Sequence, residues 1–387
     1  MEPYTVCSPA QCAGCMACVD VCPKSAIRIS DSVEHMDALI DGSLCIRCGQ
    51  CHQVCQVNHP ADFRRTIESW QGWASPDIRE GSSSGGFASA IMRAFVAGGG
   101  TVASCRLEDG DFRFALARTQ EELEGFAGSK YAKSNPSGIY RSVVRELEDG
   151  STVLFIGLPC QVSAIRNFVG RRKSGALLER FYTIDLICHG TPSIKILQQT
   201  LRDYSYDLND VGRIWFRRNT EFGLCTDFRR LVPGGCTDAY TMAFLGGICY
   251  TRNCHSCRYA TGERVGDLTL GDSWGTNFTD EESDGISLAL VQTQKGRELL
   301  DMAGLKLREV DYANAVANNR QLRHPTEVTP ERGKFFSFYE RTGSVRKAVL
   351  AVWPKRAMKQ RVKEVLVRIG LISEGGVAHL CDWPRFG

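Results

Sequence analysis

Apolar positions divide the chain into two unequal parts. In the first sixty residues they are sparse, and only 26–29 and 38–40 read as short strands. From about residue 65, strand-like and helix-like stretches alternate. Residues 70–74 predict a strand, and Gly81-Ser-Ser-Ser-Gly-Gly opens an apolar helix over 87–97 that Gly98-Gly99-Gly100 ends. Further strands are expected at 101–104, 151–156, 181–187, 213–217, 267–270, 286–292 and 305–310, with helices over 160–168 and 193–204. This is an α/β pattern with a mixed or parallel sheet, whose strand ends face helix starts, where such folds place ligands. The stretch 344–370 predicts two helices divided by Pro354. Val345, Val349 and Val352 share a face of the first; Met358, Val362, Val365 and Ile369 share a face of the second.

Composition narrows the picture. Of 387 residues, 43% are hydrophobic and 24% charged, which excludes a mainly disordered chain. The formal charge of +3 gives no argument for nucleic acid. The first six residues form neither a basic nor an apolar leader, and no long uncharged apolar run occurs, so a cytoplasmic protein is expected. Eighteen cysteines in a reducing compartment then point to metal chemistry rather than disulfides.

Eight of them fall in two runs. Cys12, Cys15, Cys18 and Cys22 follow C-x2-C-x2-C-x3-C with Pro23 next, and Cys45, Cys48, Cys51 and Cys55 repeat the spacing 33 residues later, with Gln56 where the proline would stand. This spacing is the bacterial two-cluster ferredoxin signature. Three thiolates two residues apart reach three irons of one cubane, and the fourth cysteine serves the other cluster. One 4Fe-4S cluster is therefore expected on Cys12, Cys15, Cys18 and Cys55, the second on Cys45, Cys48, Cys51 and Cys22. Zinc is the alternative, but four regularly spaced cysteines per run, duplicated, suit cubanes better. Residues 1–62 thus read as an α+β ferredoxin-like unit held together by its clusters.

Cys160 and Cys188 sit at strand-to-helix turns, and Cys254 and Cys257 form a further C-x2-C. Four thiols are enough for a third cluster. Separate roles stay open: Cys160 as a core or helix-start thiol, and Cys254/Cys257 as a redox dithiol or half a zinc site. Cys249 is near enough in sequence to substitute as a ligand, whereas Cys7, Cys105, Cys225, Cys236 and Cys381 lack a partner pattern. Ser82, Ser83, Ser84, Gly85 and Gly86 expose backbone N–H groups at a helix start, suited to a pyrophosphate, and Lys130 could add positive charge; an ordinary serine-capped helix start is the competing reading. Gly81–Gly85 spells a hydrolase elbow without the strand it needs, and Gly98–Ala103 spells a dinucleotide fingerprint in the wrong order. His189, beside Cys188, could transfer a proton or merely support the site, so no catalytic residue is named.

Several segments together resemble the family of coenzyme F420 hydrogenase/dehydrogenase beta subunits, in its bacterial form with a fused ferredoxin domain. They are Ser82-Ser-Ser-Gly-Gly-Phe, Gly128-Ser-Lys-Tyr-Ala-Lys-Ser, Val153-Leu-Phe-Ile-Gly-Leu-Pro-Cys-Gln, Asp185-Leu-Ile-Cys-His-Gly-Thr-Pro-Ser, Cys254-His-Ser-Cys-Arg-Tyr and Gly266-Asp-Leu-Thr-Leu-Gly-Asp-Ser-Trp-Gly. The resemblance implies an iron–sulfur flavoprotein with FAD, a third 4Fe-4S cluster on Cys160, Cys188, Cys254 and Cys257, and a ferredoxin or other redox protein as partner. It implies an organic, deazaflavin or nicotinamide acceptor without choosing among them. The domains expected are 1–62 (two clusters), 63–150 (flavin candidate), 151–330 (third cluster) and a basic helical tail at 331–387. Two other functions compete: a subunit that only wires electrons to a catalytic partner, and a thiol–disulfide reductase using Cys254/Cys257. Eight basic residues against one acidic in 344–370 could dock on an anionic membrane, but a helix pair packed on the body with its basic face in solvent is the expectation.

Overall fold

The computed structural model describes residues 4–218, 221–227, 229–278 and 281–373. Its strands are β1 (Tyr4–Thr5), β2 (Ile27–Asp31), β3 (Met36–Ile40), β4 (Glu68–Trp73), β5 (Thr101–Glu108), β6 (Asp111–Ala117), β7 (Val153–Gly157), β8 (Phe181–Leu186), β9 (Ile214–Arg218), β10 (Glu221–Thr226), β11 (Arg229–Arg230), β12 (Leu268–Asp272), β13 (Ser287–Val291) and β14 (Lys306–Glu309). Eight of them form one mixed sheet in the order β14-β4-β13-β12-β8-β7-β5-β6, while β1-β3-β2 and β11-β10-β9 make two small sheets.

The centre of the large sheet is parallel: β5 pairs with β7, β7 with β8, and β8 with β12. Burial on both faces shows most plainly in β7, Val-Leu-Phe-Ile-Gly, all of it buried; every residue of β13, which pairs antiparallel with β12, is buried as well. Helices Ile139–Glu148 and Pro159–Gly170 cover one face, and helices Phe87–Ala97 and Gln294–Asp301 the other. At one edge β5 turns into β6 through Asp109-Gly110, both at positive φ, in a two-residue hairpin with Glu108 opposite Asp111. The sequence marks only the start of that strand, at 101–104, and the hairpin was not anticipated, although Asp-Gly is its usual signal.

The cysteine-rich unit is docked firmly on this body. Cys15, Ala17 and Val54 join the core formed by the first helix layer. Gly138, at positive φ, opens helix Ile139–Glu148, and no side chain of its own caps it. Asp20 does so from the cysteine-rich unit, accepting from Gly138 N at 2.7 Å and Tyr140 N at 3.1 Å. Tyr140 Oη donates to Cys15 O at 2.5 Å, and Glu34 in the β2–β3 turn meets Arg332 at 2.6 Å and Arg252 at 3.4 Å.

The end of the described chain corrects one expectation. Pro354 does divide two helices, Val345–Val352 and Pro354–Arg368. The first buries Val345, Val349 and Val352 in the core of helix Ile194–Asp203 and β9–β10. The second does not pack its apolar face: Met358, Val362, Val365 and Ile369 are all exposed, and Ala357 alone among its described residues is buried. Gly246 takes the Trp353 ring between the two helices, and the second helix touches the body through its polar side chains, Gln360 Oε1 accepting from Thr237 N at 2.9 Å and Lys363 Nζ donating to Gly235 O at 2.8 Å. Residues 374–387, including Cys381, lie outside the described residues. Among the described residues no helix is long and apolar enough to cross a membrane.

Candidate functional site

The two cysteine runs fold alike. In each, the second residue after the first cysteine has positive φ (Gly14 at 66°, Arg47 at 56°), and so does the residue after the second (Met16 at 59°, Gly49 at 72°). These reversals point main-chain N–H groups at sulfur: Gly14 N donates to Cys12 Sγ and Arg47 N to Cys45 Sγ, each at 3.4 Å. At Gly14 a Cβ would lie 2.3 Å from Met36 Sδ, so a larger residue would require the methionine side chain to move, whereas Arg47 occupies the equivalent position of the other run.

Cys12, Cys15, Cys18 and Cys55 are buried around one cavity, and their thiols act on one another; burial first, then this like charge, pushes Cys15 and Cys18 up. Cys22, Cys45 and Cys51 are half-buried and Cys48 is exposed. Burial also raises Cys51, with Cys45 and Cys22 as its charged neighbours. The fold thus brings Cys55 beside Cys12, Cys15 and Cys18, and Cys22 near Cys51. Cys7, which had no pattern in the sequence, lines the inner cavity too, and its hydrogen bond pulls Cys55 down to about 6. Gln56 replaces the expected proline for a visible reason: its buried Oε1 accepts from Tyr259 Oη at 2.6 Å, tying Cys55 to the loop of Cys257.

Cys160, Cys188, Cys254 and Cys257 come together as well. Cys160 stands in the first turn of helix Pro159–Gly170 after β7, and Cys188 follows the adjacent strand β8. Cys254 lies in the short turn Arg252–Ser256, and Cys257 directly follows it. All four line one cavity, together with Gln11, Ala13 and Gln56 of the cysteine-rich unit. Burial pushes the Cys160, Cys188 and Cys257 thiols up, which deprotonation by a bound metal would have to offset. Thr191 N donates to Cys254 Sγ at 3.4 Å. Cys249 is not a substitute ligand: it is fully buried in the apolar core and does not line this cavity. Among the described residues no three His, Cys, Asp or Glu side chains stand close enough to share a single ion. In a cubane each thiolate serves its own iron, so the sulfurs lie further apart than four ligands of one zinc.

The loop that carries Cys257 is held by a buried ion pair. Arg264 Nη2 and Nε reach Asp185 Oδ1 at 2.5 and 3.0 Å, and Arg264 Nη1 donates to Tyr259 O and Thr261 O. Asp185 Oδ2 accepts from Val265 N and Gly266 N. Asp185, the penultimate residue of β8, lies three residues before Cys188, so the pair ties the Cys257 loop to the strand that leads into Cys188.

A second cavity of about 330 Å³ opens at the carboxyl ends of β7, β8 and β12. Ser82, Ser83, Ser84, Gly86 and Lys130 line it. Gly85 does not; it packs against β4 and β13, where a Cβ would lie 2.5 Å from Gly72 O and Ser287 N. Gly86, at φ 85°, is the N-cap of helix Phe87–Ala97; no side chain caps the helix, and Gly86 to Ser89 line the cavity. The serine hydroxyls are engaged elsewhere: Ser82 Oγ donates to Ile78 O, Ser84 Oγ to Ile286 O, and Ser83 Oγ accepts from Ser129 N. Burial lowers Lys130 to about 8, and its Nζ donates to Phe126 O and Ala127 O. An ammonium has a third donor to offer. Sequence reasoning missed the opposite wall, where Arg217 forms a two-point pair with Asp272 (2.5 and 3.1 Å) and lies over the rings of Phe222 and Trp274. The aromatic-rich composition of that wall gives no spacing signal. His189 faces both cavities, and Leu158 and Cys188 to Thr191 form a wall common to the two.

Comparison with known proteins matches two segments of the chain to family models. Residues 150–312 match the family model described as the C terminus of the beta subunit of coenzyme F420 hydrogenase/dehydrogenase, and residues 11–59 match the 4Fe-4S dicluster domain. A coenzyme F420-dependent sulfite reductase of Methanocaldococcus jannaschii is 23% identical over 351 residues, 85% of this chain and 52% of that protein. The chain therefore spans about half the length of that relative. The F subunit of an F420H2 dehydrogenase of Methanosarcina mazei is 27% identical over 314 residues, 75% of this chain and 82% of its own length. A chain in a structure of the F420-reducing [NiFe] hydrogenase complex from Methanosarcina barkeri aligns over 67% of this chain and 91% of its own, at 18% identity and a TM-score of 0.47. The dicluster match makes the N-terminal unit an iron–sulfur domain. Residues 150–312 of the chain thus match the C-terminal part of the beta subunits of coenzyme F420 hydrogenase/dehydrogenase, with a 4Fe-4S dicluster domain ahead of it in the same chain.

Proposed function

We propose that the protein is an iron–sulfur flavoprotein oxidoreductase that moves electrons between a redox protein and an organic two-electron acceptor or donor. The observation that carries this reading is adjacency. The inner cysteine cavity, the Cys160 cavity and the Lys130 cavity follow one another, the first two bridged by Gln56 and Ala13 and the last two by Leu158 and Cys188 to Thr191. Each suits its group by its donors: four thiols per cluster, and for a flavin an uncapped helix start beside a buried ammonium. Bound there, the clusters supply one-electron exchange and the flavin both one- and two-electron exchange.

The chain's own residues would do the rest. Cys12, Cys15, Cys18 and Cys55 would hold the inner cluster, and Cys22, Cys45, Cys48 and Cys51 the outer one, whose Cys48 reaches solvent where a ferredoxin-like partner can dock. Cys160, Cys188, Cys254 and Cys257 would hold the third. The N–H groups of residues 86–89, with Lys130, would bind the flavin's pyrophosphate. The Arg217 wall would receive the organic reactant, a deazaflavin or nicotinamide among the fitting classes, and His189 stands where it can exchange a proton with it.

Anaerobic reconstitution followed by iron, sulfide and flavin counting tests this reading. About twelve irons and one flavin per chain are expected, with Cys188→Ser and Cys254→Ser each lowering iron to about eight. A count of about eight in the native chain would leave Cys254 and Cys257 free and favour the dithiol chemistry instead. Absence of flavin would remove the hydride reading. The relative that is one part of a dehydrogenase favours a second possibility, a wiring subunit; dye-linked activity that appears only with an added partner subunit would establish it.

A further inference from the structure

Lys133 is buried between the two inner cysteine sets. Its main chain is pinned by Lys133 N donating to Pro192 O at 2.9 Å. Its ammonium donates to Ala13 O at 3.0 Å and to Asn253 Oδ1 at 3.4 Å. Ala13 follows Cys12, and Asn253 precedes Cys254. Among the described residues no carboxylate forms an ion pair with it; the groups acting on it most strongly are the sulfurs of Cys254, Cys160, Cys12 and Cys188. Cys254, Cys160 and Cys188 belong to the third set, and Cys12 belongs to the dicluster domain.

A buried charge without a counter-charge costs several kcal/mol, roughly, and the usual escape is to lose the proton. At Lys133 the compensation is geometric: the side chain is buried, its ammonium donates to the neutral Ala13 O and Asn253 Oδ1, and it lines the cavity of Cys160, Cys188, Cys254 and Cys257, whose thiolates would carry negative charge when they ligate iron. Lys130, three residues away, lines the other cavity and donates to the Phe126 and Ala127 carbonyls instead.

We propose that Lys133 is a positioning residue for electron transfer, a fixed positive charge shared by the Cys12 set and the Cys160 set that raises the reduction potential of the cluster held by each. The inference rests on the third cluster proposed above. An electron added to either cluster gains an attractive interaction with the ammonium, so reduction becomes easier on both sides. Because Lys133 stands between the sets, the effect is shared and the step from one to the other stays nearly level. A purely structural lysine, strapping Ala13 to Asn253, predicts no such effect.

The test compares the reconstituted native chain with Lys133→Met, Lys133→Gln and Lys133→Arg by iron counting and by potentiometric titration followed by electron paramagnetic resonance. Iron is expected near twelve per chain throughout. Lys133→Met and Lys133→Gln should make reduction of two of the three clusters at least tenfold less favourable, which is about 59 mV downward for one electron. Lys133→Arg should keep most of the native value, and the outer cluster of Cys48 should not move. If Lys133→Met fails to assemble, Lys133→Gln, which retains a donor toward Ala13 O, supplies the measurement. Twelve irons with unmoved potentials would overturn the role of Lys133 and leave the third cluster standing. Eight irons in the native chain would overturn both.

Discussion

Replacing Arg264 by methionine should loosen the loop that carries Cys254 and Cys257. The guanidinium is 1% exposed and its partner Asp185 0% exposed, and the methionine would remove two contacts to the carboxylate and two to the carbonyls of Tyr259 and Thr261. Breaking a buried pair on one side costs about 3–5 kcal/mol, because the remaining charge is stranded. Asp185 would keep the N–H groups of Val265 and Gly266, which offsets part of that cost. A net loss of about 4 kcal/mol corresponds to about a thousandfold in an opening equilibrium. Hydrogen exchange of residues 252–266, read by mass spectrometry, should therefore accelerate about a thousandfold in Arg264→Met. Adding Asp185→Asn should recover a large part of it, since the amide carbonyl still accepts from Val265 N and Gly266 N without a stranded charge. Exchange within tenfold of native in the single variant would refute the argument. Failure of Asp185→Asn to recover any protection would assign the loss to the carbonyls rather than to charge.

Lys130 predicts a pH dependence of flavin binding. Its proton leaves at about 8, so affinity of the flavin-free protein for FAD should fall as pH rises from 7 to 9, and Lys130→Met should flatten the profile in a fluorescence titration. Glu34 predicts acid weakening of the dicluster docking: burial opposes ionisation, but Arg332 and Arg252 prevail and hold its carboxyl below the usual value. A depressed carboxyl contributes stability above its unfolded value of about 4.3 and loses it as pH falls through the folded value. Protection of residues 27–40 against hydrogen exchange should fall over that window, and Glu34→Gln, costing about 1 kcal/mol at neutral pH, should remove the dependence. Gly85→Ala should lower stability by about 1–3 kcal/mol and reduce flavin content, because its Cβ meets backbone that cannot give, Gly72 O and Ser287 N; native thermal unfolding and flavin content would contradict this. Tyr140→Phe should cost about 1–3 kcal/mol by orphaning Cys15 O, measured by chemical unfolding of the intact protein.

Much of this site was legible in the sequence because its chemistry is local. A cubane demands fixed steps between thiolates, so both cysteine runs declared themselves, and the helix Phe87–Ala97 announced its bounds through the glycines at both ends. The parallel strands were readable because strands buried on both faces are apolar runs. What was hidden is what only the fold assembles. Cys7 has no spacing partner yet lines the inner cavity, and Lys133 lies in the same short segment as Lys130 but differs from it solely in what surrounds it. The Arg217 wall draws on β9, β10 and the end of β12, which no linear pattern joins. Helix Pro354–Arg368 failed in the opposite sense: its periodic apolar face suggested burial, but periodicity says that a face exists and not what it meets.

The common wall of Leu158 and Cys188 to Thr191 bears on how such a protein can change over generations or be redesigned. A substitution made there to admit a different reactant would also disturb the surroundings of a cysteine on the other side, so that partition has little room to drift. Phe222, Phe244, Leu245 and Trp274 border the larger cavity alone. Substitutions on that far side should therefore reshape the larger cavity while leaving the surroundings of Cys160, Cys188, Cys254 and Cys257 intact.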